Sequence, residues 1–215
     1  MAEYSAAIKL TPDFENGKKI YKTCSVCHGP EGWGHESVSY PEIAGQLSSV
    51  IIKQLADIRA GNRSNPIMLP FTLQRILGSA QDIADVAGYI SNLPMARRNS
   101  KGPGFDLVRG EQLYKKNCVD CHGEEGEGDA KEHIPQIAGQ HYRYLVRQFD
   151  LIRNGMRRNA DDEMVEQIKG FRGRDVTDVM DYTSRLLPPK EKLAEEGWKN
   201  PDFPNTVRWP MKIGK

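Results

Sequence analysis

Residues 24–34 read CSVCHGPEGWG, and residues 118–128 read CVDCHGEEGEG. Each stretch sets two cysteines three positions apart, with a histidine directly behind the second. The chain has 215 residues and four cysteines, so these two stretches hold all of them. The repetition extends well beyond the cysteines. At the same offset of 94 residues, His28 maps to His122, Pro41 to Pro135, Ile43 to Ile137 and Ala44–Gln46 to Ala138–Gln140. The match continues through Gln54 and Gln148, Arg59 and Arg153, Gly61 and Gly155, and Arg63 and Arg157. With a small slip, Asp82–Ile90 matches Asp175–Thr183, and upstream GKKIYKTC matches GEQLYKKNC. Self-similarity at so long a period means two copies of one domain, not a solenoid of short units.

Each copy reads as helical. Asp13 is placed to cap a first helix running into the cysteines. Leu47, Ile51, Leu55 and Ile58 recur at helical spacing and Gly61 suits the end of that helix; Leu145, Phe149 and Ile152 form the matching stripe in the second copy. Ile83, Val86, Ala87 and Ile90 mark a terminal helix. No alternating run is long enough for a strand. The expected fold class is all-α: a first domain over 10–93, a linker rich in Pro, Gly and Arg over 94–105, a second domain over 106–187, and a C-terminal extension over 188–215 without a counterpart in the first half.

Hydrophobic residues make up 38% of the chain and charged ones 27%, a low apolar fraction for two small cores unless something besides side chains fills them. A net charge of +1, without a basic run, argues against nucleic acid as the partner. No apolar run is long enough for a transmembrane segment. The start, MAEYSAAIKL, is not a secretion signal, so the chain is either cytoplasmic or lacks a signal it once carried.

Four cysteines can serve as disulfides, a zinc site, a redox pair or cofactor anchors. Disulfides within each pair would close strained tiny loops and leave the histidines unexplained. Zinc requires neither a histidine behind each pair nor two copies of a domain, and a thioredoxin-like pair expects a strand–helix context absent here. Cys-x-x-Cys-His is the signature of c-type haem attachment. Each thiol adds across one porphyrin vinyl group, and the next residue lies under the iron as proximal ligand. The expectation is two covalently bound haems, through Cys24 and Cys27 with His28, and through Cys118 and Cys121 with His122. Each haem would fill the middle of its domain.

The opposite iron face takes a methionine sulfur or a second histidine. His35, His133 and His141 fall opposite Asp129, Ser39 and Leu47, so none repeats, and each reads as a surface or loop residue. Met68 and Met164 both lie in the loop before the terminal helix, with Met95 and Met156 as competitors. Met68 and Met164 are the expected distal ligands.

The order CxxCHG, PxIAGQ, RxG, RxN, M and DxxDVxxY, over residues 10–187, resembles the di-haem cytochrome c4 family and its single-haem neighbours. The resemblance implies His28 and His122 as proximal ligands, Met68 and Met164 as distal ones, and Pro41 and Pro135 beside the histidines, each with a carbonyl accepting the imidazole proton. It also implies a periplasmic electron carrier, its signal absent from this chain, free or held at a membrane complex. Its redox partners would be a donor dehydrogenase or quinol-oxidising complex and a terminal oxidase or reductase. The alternatives are a haem-bearing subunit of a larger, flavocytochrome-type oxidoreductase and, third, a di-haem peroxidase or thiosulfate-oxidising enzyme. The extension at 188–215 departs from the family pattern. Its Trp198, Phe203 and Trp209 suit either a tail folded over its own domains or an arm that docks a partner subunit. Trp33 suits either a haem cover or a loop anchor.

Overall fold

The protein is described from a computed structural model covering residues 2–38, 40–206 and 208. A short helix α1 (Ala2–Ala7) precedes the first unit, which holds α2 (Phe14–His28), α3 (Ser48–Arg59), α4 (Leu69–Thr72), α5 (Gln74–Leu77) and α6 (Ala80–Ser91). The second holds α7 (Leu107–Asn117), α8 (Val119–His122), α9 (Tyr142–Arg153), α10 (Asp162–Ile168) and α11 (Gly173–Thr183). No sheet forms among the described residues, which carry only isolated bridges. Each unit has its own apolar core, around Tyr21, Ile83 and Val86 in the first and around Tyr114, Phe149 and Val179 in the second.

The first and last helices of each unit cross at a glycine. Gly17 on α2 meets α6 and Gly110 on α7 meets α11; a Cβ at either position would collide with a carbonyl oxygen of the facing helix, that of Asp85 or Asp178. Beside each crossing two tyrosines meet, Tyr21 with Tyr89 at 5.2 Å and Tyr114 with Tyr182 at 5.5 Å between ring centroids. Asp13 caps α2 through the amides of Glu15 and Asn16, as its position in the sequence suggested. The copies differ where the second carries an extra residue. α2 runs unbroken into His28, whereas α7 stops at Asn117, Cys118 turns out of helical geometry at φ −126°, and α8 restarts the chain. The Cys118–His122 turn survives, because His122 N–H still bonds the Cys118 carbonyl at 2.8 Å.

Helix α3 buries more than the single stripe its periodicity indicated. Ser49, Val50 and Ile52 are buried together with Ile51 and Ile58. The second unit covers the other face, where Ser49 Oγ donates to the Ala130 carbonyl at 2.8 Å.

The structure decides between the two readings of the extension. Its described part is no free docking arm but folds back from the second unit onto the first. Met95 pairs with it in parallel fashion, through Met95 N–H to Lys192 O at 2.7 Å and Ala194 N–H to Met95 O at 2.8 Å. Trp198 packs on Trp33 with the rings tilted, Asn200 Nδ2 donates to the Pro30 carbonyl at 2.7 Å, and Phe203 enters the first core against Tyr21. Trp198 and Phe203 are thus used internally; burying a side chain such as Phe203 stabilises by roughly 1.5–3 kcal/mol. Trp209 lies outside the described residues.

Replacing Gly17 or Gly110 by alanine forces the crossing helices apart and is expected to cost about 1–3 kcal/mol. Urea unfolding checks this, with a lowered midpoint as the expected result; an unchanged midpoint for both variants refutes the close-crossing account.

Candidate metal centres and the interface between them

Each Cys-x-x-Cys-His segment closes a helix. On α2, Cys24, Cys27 and His28 are spaced i, i+3 and i+4, so all three face one side. His28 and His122 are 5% and 8% exposed. Each donates its Nδ1 proton to a backbone carbonyl 3.0 Å away, of Pro41 and of Pro135. That bond fixes the neutral tautomer with Nε2 free to ligate. Burial lowers both imidazole pKa values, with the proline carbonyls acting in the opposite sense. Tyr21 and Tyr114 hold the next turn by donating to the carbonyls of Gly29 and Gly123, both at 2.7 Å.

No disulfide joins any of the four cysteines. Burial pushes Cys24 and Cys118 up to about 12, which leaves neither thiol activated for redox chemistry. No group of three or more His, Cys, Asp or Glu side chains among the described residues is arranged to hold a metal ion. Each unit therefore offers an iron one imidazole, and the remaining coordination has to come from elsewhere. A porphyrin supplies four nitrogens, and the paired thiols match its two vinyl groups. The residues fit haem c.

The candidate sulfur ligands share a local device. Met68 N–H bonds Asn65 Oδ1 at 3.3 Å, and Met164 N–H bonds Asp161 Oδ1 at 3.2 Å. Both methionines thus sit three residues after an Asx side chain that accepts their N–H, and both are half-buried; Asp161 is also the N-cap of α10, whereas Met68 itself stands at the N-cap of α4. Met164 packs on the cluster that also holds Cys118. The competitors are placed differently. Met156 is exposed, and Met95 is buried between the units, where its sulfur accepts from Gln136 Nε2 at 2.8 Å.

The two sites meet across an interface built from equivalent residues of the two copies. Gln140 bonds the backbone of Glu42, and Gln46 bonds the backbone of Gln136. At the centre, Arg63 donates to Gln54 at 2.9 Å and to Gln148 at 3.0 Å, while Arg157 donates to Gln148 and Gln54, both at 3.0 Å. Neither guanidinium has a carboxylate within salt-bridge reach among the described residues. Burial, and Arg63 beside it, bring Arg157 down to about 10. Glu42 is fully enclosed, which holds its carboxyl well above the ordinary range; its Oε1 accepts from Ala96 N–H at 2.7 Å and its Oε2 has no partner.

The histidine reading needs one correction. His141, the N-cap residue of α9, does lie in a loop but not on the surface: it is buried at the interface. Its Nδ1 accepts from Ser100 N–H at 3.2 Å and its Nε2 donates to the Trp33 carbonyl at 2.8 Å. Its counterpart is Leu47, so alignment of the two halves gave no signal for it. His133, at φ 58°, bonds Tyr4, and His35 bonds Ser37 at 2.9 Å. Trp33 serves as an anchor, donating from Nε1 to the Pro94 carbonyl at 2.8 Å. The Gln54/Gln148 and Arg63/Arg157 matches were visible in the sequence, but nothing there said that they meet each other.

Comparison with known proteins agrees with this geometry. The profile of the family described as "Cytochrome c" matches residues 14–94 and 107–183. Cytochrome c4 of Azotobacter vinelandii is 32% identical over 165 residues, covering 71% of this chain and 78% of the relative. The thiosulfate dehydrogenase electron acceptor of Stutzerimonas stutzeri is 30% identical, covering 80% of this chain and 86% of the relative. The structure of reduced cytochrome c4 from Pseudomonas stutzeri superposes with a TM-score of 0.72 at 26% identity, covering 82% of this chain and 100% of that one.

His141 gives the interface a pH dependence with a definite sign. Burial lowers its pKa below 6.5, and protonation would place a second proton on Nδ1, against the Ser100 N–H. Its contribution is complete above about pH 6.5 and is lost as the pH falls through the lower folded value. The stability gap between the protein and its His141→Gln variant is therefore expected to narrow between about pH 8 and about pH 5, as read from urea midpoints. A constant gap contradicts this.

Proposed function

The chain belongs to the cytochrome c family, as a two-domain member of the c4 type with two covalently bound haem c groups, and from that premise we propose that it is a periplasmic carrier of single electrons. In this reading Cys24 and Cys27 hold the first haem and Cys118 and Cys121 the second. His28 and His122 ligate from the proximal side, Met68 and Met164 from the distal side. Each bound haem supplies a one-electron Fe(III)/Fe(II) couple. The chain's own residues do the rest. The proline carbonyls orient the imidazoles, the methionine loops would close the far face to substrate, and the pair Arg63–Arg157 would offer positive charge to the haem propionates. The observation that carries the reading is the doubled Cys-x-x-Cys-His turn with its histidine fixed to a proline carbonyl at 3.0 Å in both copies.

The two units offer different surfaces. Ile67, Phe71 and Ile76 are exposed around the first methionine, where the second unit has Asp162, Glu163 and Glu166. This difference supports two distinct partners: a donor dehydrogenase or quinol-oxidising complex, and a terminal oxidase or reductase. A second reading, as the electron-accepting subunit of a larger oxidoreductase, is favoured by the relative named as an electron acceptor of thiosulfate dehydrogenase. Co-purification with a catalytic subunit from native membranes distinguishes the two.

Intact-mass measurement on native protein is expected to give the polypeptide plus two haems, and the oxidised form is expected to show the weak far-red band of methionine-ligated ferric haem. Met68→Ala and Met164→Ala should each remove about half of that band. A bare polypeptide mass would overturn the reading, and full intensity in either variant would remove that methionine from the ligand set.

A further inference from the structure

Gln46 and Gln140 do more than join the units. The carbonyl of Pro41 accepts the His28 Nδ1 proton at 3.0 Å, and the N–H on the other side of that same peptide group, belonging to Glu42, donates to Gln140 Oε1 at 3.0 Å. Gln140 Nε2 returns a bond to the Glu42 carbonyl at 2.8 Å, which fixes which end of its amide faces which group. The other site repeats this in mirror fashion. His122 donates to Pro135 O at 3.0 Å, Gln136 N–H donates to Gln46 Oε1 at 3.0 Å, and Gln46 Nε2 donates to Gln136 O at 2.8 Å. Each glutamine oxygen also accepts the N–H of its own next residue at 3.0 Å, which pins the side chain.

A peptide group is conjugated. Accepting a proton at its oxygen and donating one from its nitrogen reinforce each other, so hydrogen bonds in series polarise one another, most strongly away from water. A glutamine that accepts from the Glu42 or Gln136 N–H therefore places more negative charge on the proline oxygen. The histidine bond shortens in effect and the imidazole becomes a more basic ligand. We propose that Gln140 and Gln46 are positioning residues that tune the proximal histidine of the opposite unit, so that each centre's reduction potential depends on the docking of the other domain. The dependence is crossed: Gln140, in the second unit, acts on His28, and Gln46, in the first, acts on His122. It is also unequal. Gln140 and both of its bonds to Glu42 are buried, whereas Gln46 is half-buried and its bonds to Gln136 are only partly enclosed. The stronger coupling thus falls on the first centre. A more basic imidazole favours ferric iron, so loss of a glutamine raises the potential of the opposite centre.

This inference rests on His28 and His122 being the proximal ligands, and the test separates the two. Holo-protein with two haems by mass is labelled with ¹⁵N-histidine and reduced. The ring Nδ1–H resonances of both ligating histidines are recorded, and each haem is titrated spectroelectrochemically. Absence of the two protected ring N–H signals from the unsubstituted protein defeats the ligand assignment before any variant is compared. With them present, Gln140→Met is expected to move the His28 signal upfield and leave that of His122 in place. At fixed poise the first haem should shift about threefold toward the reduced form, which is about 28 mV at 59 mV per tenfold for one electron. Gln46→Met is expected to do the same to His122 and the second haem, by less. Ser49→Ala, which loses the inter-unit bond to Ala130 away from both peptides, serves as the docking control. If Gln140→Met fails to take up both haems, Gln46→Met decides alone. A shift at the histidine of the variant's own unit, equal shifts at both, no shift, or the same shifts in Ser49→Ala would each overturn the proposal.

Discussion

A buried imidazole that must offer one nitrogen to a metal has to lose its other proton's freedom to a fixed acceptor, and both copies of this chain use a proline carbonyl for that. Proline suits the task because its ring fixes φ and its own nitrogen asks for no partner, so the segment can come close to the histidine without leaving an orphaned amide. Gly34 and Gly128 make the approach feasible. At φ 72° and 71° they press against the backbone around Pro41 and Pro135, where any side chain would collide. The hydrogen bonds Gly34 N–H to His28 O at 2.8 Å and Gly128 N–H to His122 O at 2.9 Å then close each loop onto its histidine turn. From that one constraint follow the Gly-rich run after each motif, the PxIAGQ segment, and the direction in which the third helix leaves it.

Duplication gave this constraint a second use. The residues after each proline do not face solvent but the other copy, and they do so with near two-fold equivalence: Gln46 with Gln136, Gln140 with Glu42, and further along Arg63 and Arg157 each with both Gln54 and Gln148. Neutral amides, not carboxylates, surround the two guanidiniums, and the acidic group that acts on Arg157, Asp57, makes no ion pair with it. The copies have diverged within this frame. Where the second unit places Gln136, the first keeps Glu42, a carboxyl that burial holds well above its usual range and whose second oxygen lacks a partner. That difference makes the two centres electrostatically unequal even though their histidines are held alike.

What could be read in the sequence was whatever repeats or carries local chemistry. The Cys-x-x-Cys-His turns, the Asp13 cap and the apolar stripes of α3, α6 and α9 are local signals, and they sufficed for the all-α two-domain fold. The interface was not legible, because a helix buried on both faces, like α3 with Ser49 and Val50 inward on the second side, shows the same period as one buried on one face. His141 escaped because its role depends on Trp33 and Ser100, both far away in the chain. Helix α1 was invisible for a related reason. It is too short to propagate alone and owes its place to distant contacts, with Ala7 in the first core and Tyr4 on His133 of the second unit. Even the slipped match before Cys118 had a structural meaning the sequence did not disclose: one extra residue breaks the helix yet spares the turn.

The extension bears on why such an interface holds. Linker and extension both connect the units, the first leaving α6 and the second returning from α11 to seat Phe203 beside Tyr21. The linker already makes docking intramolecular, with an effective concentration set by its short span. The returning extension adds a second closure, since Lys192 Nζ reaches both Gly45 O at 3.2 Å in the first unit and Gln136 Oε1 at 2.5 Å in the second. To separate the units, the chain must break these bonds, lift Asn200 from Pro30 and withdraw Phe203 from a core, all together with the glutamine clamps. Opening is therefore cooperative with partial unfolding of the first unit. Two metal centres whose ligand strengths rest on each other's domain need that cooperativity, because a loosely hinged pair would let each potential wander with every opening.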